Sequence, residues 1–317
     1  MSYDDLMNLS PADTSSPRVG LVGLGSMGLG MARSLRAAGY EVSVYDVRRE
    51  VAVSFAAEGG TAHQTVAELA TETDVLISVV VNAAQTEAVL FGTGDDGAID
   101  RLKPGSVFVM CSTVDPQWSA ALAGTLAERG IHYLDAPISG GAIKAAAGQL
   151  TMMTSGSPEA YALADPVLEA MSEAVYRLGD KPGMGSVVKI VNQLLAGVHI
   201  AAAAEAMALG IRCGLRADDI YEVITHSAGN SWMFENRMAH VLTGDYTPHS
   251  AVDIFVKDLG LVLDAARPNV FPLPLAAAAH QQFLRASAAG HGREDDSAVI
   301  KTFPGVDLPT SNGTEEL

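Results

Sequence analysis

Lys189 stands in the stretch "GMGSVVKIVNQ" with Val187, Val188, Ile190 and Val191 as neighbours. A lysine among aliphatic side chains loses hydration, its ammonium form is disfavoured, and the neutral amine becomes available near neutral pH. The chemistry such a group performs is proton transfer, taking a proton from a hydroxyl or returning one to a carbonyl. Asn192 and Gln193 follow at i+3 and i+4 and so share its face of a helix, where Asn192 can orient a substrate oxygen. His199, about two turns beyond, reads as a helix-packing residue.

Two further stretches supply complementary chemistry. In "DAPISGG", Asp135 to Gly141, the hydroxyl of Ser139 and the bare backbone N–H groups of Gly140 and Gly141 make a small nest for an anion such as a substrate carboxylate. In "GLVGLGSMGLGMA", Gly23, Gly25 and Gly28 have the GxGxxG spacing between a strand candidate and a helix candidate. That context is what a dinucleotide pyrophosphate requires: one glycine for the tight turn, one for close backbone approach, one for helix packing. Asp46 ends the next strand candidate, about 20 residues on, where a carboxylate accepts hydrogen bonds from the adenosine ribose. It repels a 2′-phosphate, which favours NAD over NADP, although Arg48 and Arg49 close by could grip that phosphate.

Elements with a fixed order must position these groups. The runs "RVGLVG", "EVSVYD", "DVLISVVV", "SVFVMC" and "IHYLD" are apolar enough for strands buried on both faces, and helical stretches separate most of them. That alternation predicts right-handed βαβ units and a parallel, doubly wound sheet of Rossmann type. "QLTMMTSG" and "EAVYRLG" predict two more strands around the helical "PEAYALADPVLEAM". After the breaker "KPGMG", one long Ala-rich helix runs from Ser186 to about Arg212 and stops near Gly214, and the chain continues helical to about Lys301. The expected organisation is a polar tail (1–17), an NAD-binding domain (18–181), an all-α substrate and dimerisation domain (182–303) and a second polar tail (304–317), both tails disordered.

Composition narrows the function. A formal net charge of −17 over 317 residues, with no basic concentration, argues against nucleic acid. No apolar run reads as long enough to span a bilayer, and the first residues lack the basic start and apolar stretch of a leader, so the cytoplasm is the expected location. The 2 cysteines, Cys111 and Cys213, are far apart and have neither disulfide nor metal spacing. An anionic substrate needs local cations or N–H donors in a protein so acidic, which is what Lys189 and the glycine nest provide.

"GLGSMG", "DAPISGG" and "GMGSVVKIVNQ", in that order and followed by "FVKDLGL", resemble the β-hydroxyacid dehydrogenase family, the group typified by 3-hydroxyisobutyrate dehydrogenase. The resemblance covers about Arg18 to Lys301. It implies oxidation of a small hydroxy acid by a nicotinamide dinucleotide, with Lys189 as general acid and base. The cofactor is then held by Gly23, Leu24, Gly25, Ser26, Met27, Gly28 and Asp46, by Val80 and Asn82 after the fourth strand, by Thr113 near the nicotinamide, and by Lys257 from the helical domain. Ser139, Gly140 and Gly141 correspond to the substrate-carboxylate loop and Asn192 to an orienting position. Many members have two asparagines after the lysine, so Gln193 is a departure that alters contacts to substrate hydroxyls.

Within the family, "QLLAGVHIAAAAEAMALG" and "HSAGNSWMFENRMAHVLTGDYTP" resemble most the members that oxidise a four-carbon sugar acid. Asn230, Ser231, Asn236 and Arg237 are candidates for its distal hydroxyls; Trp232, Met233 and Phe234 would suit a methyl-bearing acid or be core. A homodimer or homotetramer is expected from the apolar helical half. Two readings of another class stay open: a non-catalytic dinucleotide-binding module, which would not need the lysine, and an imine reductase, in which the lysine is typically replaced.

Overall fold

The computed structural model describes residues 16–92, 94 and 96–310. Its first part runs β1 (Val19–Val22), α1 (Gly28–Ala37), β2 (Val42–Tyr45), α2 (Arg49–Ala57), β3 (Thr61–Ala62), α3 (Val66–Thr71), β4 (Val75–Ser78), α4 (Ala83–Phe91), β5 (Val107–Met110), α5 (Pro116–Ala127) and β6 (His132–Asp135). These strands pair in parallel in the order β3-β2-β1-β4-β5-β6. The order reverses between β1 and β4, and the crevice at their carboxyl ends is where such sheets bind ligands.

Burial on both faces explains the unbroken apolar runs. Val75 and Ile77 of β4 and Val107 and Val109 of β5 join one core with Met31 and Leu35 of α1. Their neighbours Leu76, Phe108 and Met110 join another with Leu69, Leu90 and Leu126. A strand covered on both sides has no wet face and so no polar alternation.

The next elements are β7 (Ile138–Ser139), α6 (Gly141–Ala146), β8 (Leu150–Gly156), α7 (Pro158–Glu169) and β9 (Ser172–Arg177). Here the expected all-parallel sheet gives way to a mixed one. β8 is antiparallel to β6, with Asp135 opposite Ser155, and antiparallel to β7, while β9 is parallel to β8. The connection through α6 stays beyond the carboxyl edge, so β8 re-enters the sheet from that end, and an antiparallel pair needs no crossover. The two-residue strand β7 carries no periodic signal of its own.

The remainder is helical: α8 (Met184–Arg212), α9 (Ala217–Thr225), α10 (Trp232–Thr243), α11 (Val252–Ala266), α12 (Pro274–Ala286) and a 3₁₀ segment, Asp296–Thr302. α8 begins two residues before the expected Ser186. It ends as the sequence indicates, with Gly214 at φ +92° and the Leu215 N–H on the Gly210 carbonyl at 3.1 Å. With 29 residues it is long and apolar enough to cross a membrane by length and composition, contrary to the sequence reading. Ala196, Ile200, Ala204 and Met207 are instead packed with Phe234, Phe255, Leu259 and Phe283 in the helical core.

The expected tail from 304 also differs in its described part. Val306 and Leu308 pack on the helical core, and Arg212 donates to the Gly305 carbonyl at 2.8 Å. Two apolar side chains suffice to hold a short polar segment against an existing core. Residues 1–15 and 311–317, the rest of the expected tails, lie outside the described residues.

Candidate active site

The turn after β1 has the geometry its glycines promise. Gly23 has φ +95°, and a Cβ there would lie 2.5 Å from the Val79 carbonyl oxygen. A Cβ on Gly28 would lie 1.9 Å from the Gly23 oxygen, so α1 starts in direct contact with the turn. At Gly25 nothing lies within 4 Å of the added carbon, which leaves open space over bare backbone N–H groups at a helix start. The loop therefore fits a dinucleotide pyrophosphate.

Asp46 braces this loop from the end of β2. Its carboxylate accepts the Leu24 N–H at 2.6 Å and the Arg48 N–H at 2.8 Å, and the Arg48 guanidinium reaches both Asp46 at 3.2 Å and the Leu24 carbonyl at 3.2 Å. Burial pushes its pKa up, but the Arg48 backbone and guanidinium and the Leu24 N–H outweigh that and hold it below the ordinary carboxylate value. The residue is thus an anion at the end of β2 and also a structural tie.

The sequence-expected positions after β4 and β5 lie on the same carboxyl edge. The Val80 carbonyl accepts from Ser112 Oγ at 2.8 Å. Asn82 Oδ1 accepts the Gln85 N–H at 2.9 Å as the N-cap of α4, so its side chain serves the helix. The Thr113 carbonyl accepts from Lys257 Nζ at 3.2 Å, which brings α11 onto the carboxyl edge of the sheet.

Lys189 is placed by the way α8 begins. Asp135, fully buried at the end of β6, accepts the Ser186 N–H at 2.8 Å and Ser186 Oγ at 2.7 Å, while Ser155 Oγ accepts the Gly185 N–H at 3.0 Å. These groups satisfy N–H donors that a helix leaves open at its first turn. Gly183 at φ +98° and Gly185, whose added Cβ would lie 2.4 Å from the Met153 oxygen, let the helix end meet the sheet. About one turn later Lys189 Nζ donates to the Ile138 carbonyl at 2.9 Å. Burial pushes its pKa down to about 8; the Asp258 carboxylate opposes this and the Lys257 ammonium adds to it.

That bond sets the amine beside Ser139, Gly140 and Gly141, the next residues along from Ile138. Gly140 and Gly141 have φ of +135° and +72°, a conformation that side-chain-bearing residues rarely take. On the other side, Asn192 Nδ2 donates to Gln193 Oε1 at 2.9 Å, Gln193 Nε2 donates to Asp258 Oδ2 at 2.5 Å, and Asp258 pairs with Lys257 at 2.5 Å. The structure thus ties Lys189 to the Ile138–Gly141 loop and sets it near the linked group of Gln193, Asp258 and Lys257. The sequence alone assigns no role to Asp258. The signal for it was its place next to Lys257 in "FVKDLGL", a carboxylate in an otherwise apolar helix.

The residues proposed for distal hydroxyls are committed elsewhere. Arg237 is buried in an ion pair with Asp296 at 2.5 Å, because a guanidinium in a core must be neutralised. Ser231 caps α10 through the Phe234 N–H at 3.0 Å, and Asn230 donates to the Thr225 carbonyl at 3.2 Å and to Glu235 at 2.7 Å. Phe234 is core, Met233 packs against that core, and Trp232 is 61% exposed. His199 is exposed rather than packed.

Comparison with known proteins gives the same arrangement a context. Residues 18–179 match the family model described as the NAD binding domain of 6-phosphogluconate dehydrogenase, and residues 183–303 match that described as NAD-binding of NADP-dependent 3-hydroxyisobutyrate dehydrogenase. L-threonate dehydrogenase of Cupriavidus necator is 61% identical over 93% of this chain and 98% of its own length. The Escherichia coli K12 protein of the same name is 53% identical over 92% and 96%. Among solved structures, a 3-hydroxyisobutyrate dehydrogenase from Salmonella typhimurium superimposes with a TM-score of 0.86 at 54% identity, covering 91% of this chain and all of its own.

Proposed function

The chain belongs to the β-hydroxyacid dehydrogenase family and is a hydroxyacid dehydrogenase that uses a nicotinamide dinucleotide; we propose that it oxidises L-threonate to the 2-oxo acid with NAD. The observation that carries the chemistry is Lys189: a buried amine of lowered pKa, held on the Ile138 carbonyl next to Ser139, Gly140 and Gly141. A bound nicotinamide would supply the hydride acceptor for the carbinol carbon. Ser139, Gly140 and Gly141 hold the substrate carboxylate, and neutral Lys189 Nζ takes the hydroxyl proton as the carbonyl forms. In the reverse direction the Lys189 ammonium returns that proton. Lys257 and the backbone N–H groups of Gly140 and Gly141 supply the local positive potential that an anionic substrate needs in a protein of net charge −17.

Asn192, Gln193 and Asp258 favour a polyhydroxy acid over a methyl-bearing one. The Asn192 amide donates to Gln193, leaving its oxygen as an acceptor for a substrate hydroxyl; an apolar substituent there would desolvate it without a partner. The names of the Cupriavidus necator and Escherichia coli relatives support the same substrate. Preference for NAD rests on Arg48, whose guanidinium is already taken up by Asp46 and the Leu24 carbonyl rather than presented to a 2′-phosphate. Exposed Val191, Leu195 and Leu209 on α8 support assembly as a homodimer or homotetramer, and free Cys111 and Cys213 suit a reducing cytoplasm.

The test is a spectrophotometric screen of L-threonate, D-threonate, the erythronates, 3-hydroxyisobutyrate, glycerate and 6-phosphogluconate with NAD and NADP. L-threonate with NAD is expected to give the highest kcat/KM. A higher value with 3-hydroxyisobutyrate, or with NADP, overturns the corresponding half of the proposal.

A further inference from the structure

We propose that Ser34 and Gly30, on the dinucleotide-binding helix α1, position the substrate-carboxylate loop by docking α6 onto α1, so that an occupied cofactor loop strengthens hydroxy acid binding. This rests on the reading that Ser139, Gly140 and Gly141 hold the carboxylate.

α6 has six residues, too few for a helix to persist by its own hydrogen bonds, and its last carbonyls are met only by the N–H groups just beyond it, that of Ala147 on Ile143 at 3.1 Å and that of Gly148 on Ala145 at 3.4 Å. α1 adds a tertiary donor at that end. Ser34 Oγ, buried, donates to the Ala145 carbonyl at 2.9 Å and lies 3.4 Å from that of Ala146. One turn earlier on the same face, Gly30 lets the two backbones meet: a Cβ there would lie 2.6 Å from Ala146 N and 2.9 Å from Ala145 C. The obstacle would be main chain, which cannot rotate away, and Ala145 between them is fully buried. Both residues sit on the ten-residue helix whose first turn follows Gly23 to Gly28 directly. A shift of the cofactor loop is therefore carried as a rigid-body shift to α6, and from α6 to Gly140 and Gly141 at its start. GxGxxG does not require Gly30 or Ser34, so neither is explained by cofactor binding alone.

Ser34→Ala is the informative variant. Loss of one buried hydrogen bond is expected to raise KM for the hydroxy acid about 3- to 10-fold, with kcat and the NADH dissociation constant, measured by fluorescence, within about twofold of wild type. Hydrogen exchange at the 141–146 amides is expected to slow on adding NADH to the wild type and to be indifferent to NADH in Ser34→Ala. Gly30→Ala should act in the same direction and more strongly; if it does not fold, Ser34→Ala alone decides. An unchanged KM with the NADH effect on exchange preserved overturns the inference. So does a parallel loss of melting temperature, NADH affinity and kcat, which is what a merely structural role gives. If the wild type oxidises none of the hydroxy acids, the carboxylate assignment fails, while the exchange measurement still decides whether α1 and α6 are coupled.

Discussion

Lys189 shows how one residue's surroundings set its chemistry. Its amine is pulled below the usual lysine value, to about 8, chiefly by burial. Oxidation needs the neutral form, so kcat/KM for the hydroxy acid should rise with pH and level off above about 8, while the reverse reduction should fall through the same region. A flat profile between pH 6 and 9 would remove the lysine from proton transfer. The same shift costs stability: the unfolded chain binds this proton more tightly, a cost of about 3 kcal/mol at neutral pH that is relieved as pH rises from about 8 to the unfolded value. Lys189→Met, of similar volume and no charge, should thus lose about 100-fold to 10,000-fold in turnover yet melt no lower than wild type at pH 7. Retained activity, or a clear drop in melting temperature, would contradict this account. The lysine was legible in the sequence because a charge amid valines has few structural reasons to be there. Its hydrogen bond to Ile138 was not, since nothing local links residues 51 positions apart.

At the scale of elements, the start of α8 decides whether the lysine arrives in place. Asp135 gathers the Ser186 N–H and hydroxyl and the Ser155 hydroxyl, all buried. Asp135→Ala leaves those donors without an acceptor, and each such orphan costs about 1–3 kcal/mol. The variant should be destabilised by at least about 3 kcal/mol in denaturant unfolding and should lose activity at temperatures where it is still folded. A stability within 1 kcal/mol of wild type, on the same scale, would mean water or another group replaces the carboxylate. The helix itself was evident from composition, but its start two residues early was not. Gly183 and Gly185 look like helix breakers in one dimension and act as close-contact residues in three, Gly183 against Pro116 of α5 and Gly185 against Met153 of β8.

Across the whole molecule, the sheet and the helical half meet through charge as well as packing. Lys257, on α11, reaches the Thr113 carbonyl after β5 and pairs with Asp258, so a single side chain touches the carboxyl edge of the sheet and acts on Lys189 from the opposite half. Lys257→Met removes a like charge near Lys189 and leaves Asp258 to stabilise its ammonium, so the rise in kcat/KM should move to higher pH and KM for NAD should increase. A pH profile identical to wild type would show that the two lysines do not sense each other.

The sequence by itself determined the layered sheet, the long helix, the glycine turn and the lysine buried among valines, because each rests on interactions between residues close along the chain: periodic burial, backbone conformation, desolvation by neighbours. Tertiary structure alone decided the rest. It turned Arg237 from a substrate candidate into the partner of Asp296 and added Asp258 to the site through Gln193. It also set the antiparallel return of β8 and joined α6 to α1 through Ser34. Each of these depends on which polar groups meet when distant segments are buried together, and a buried charge or hydrogen-bond donor takes its role from the partner it finds there.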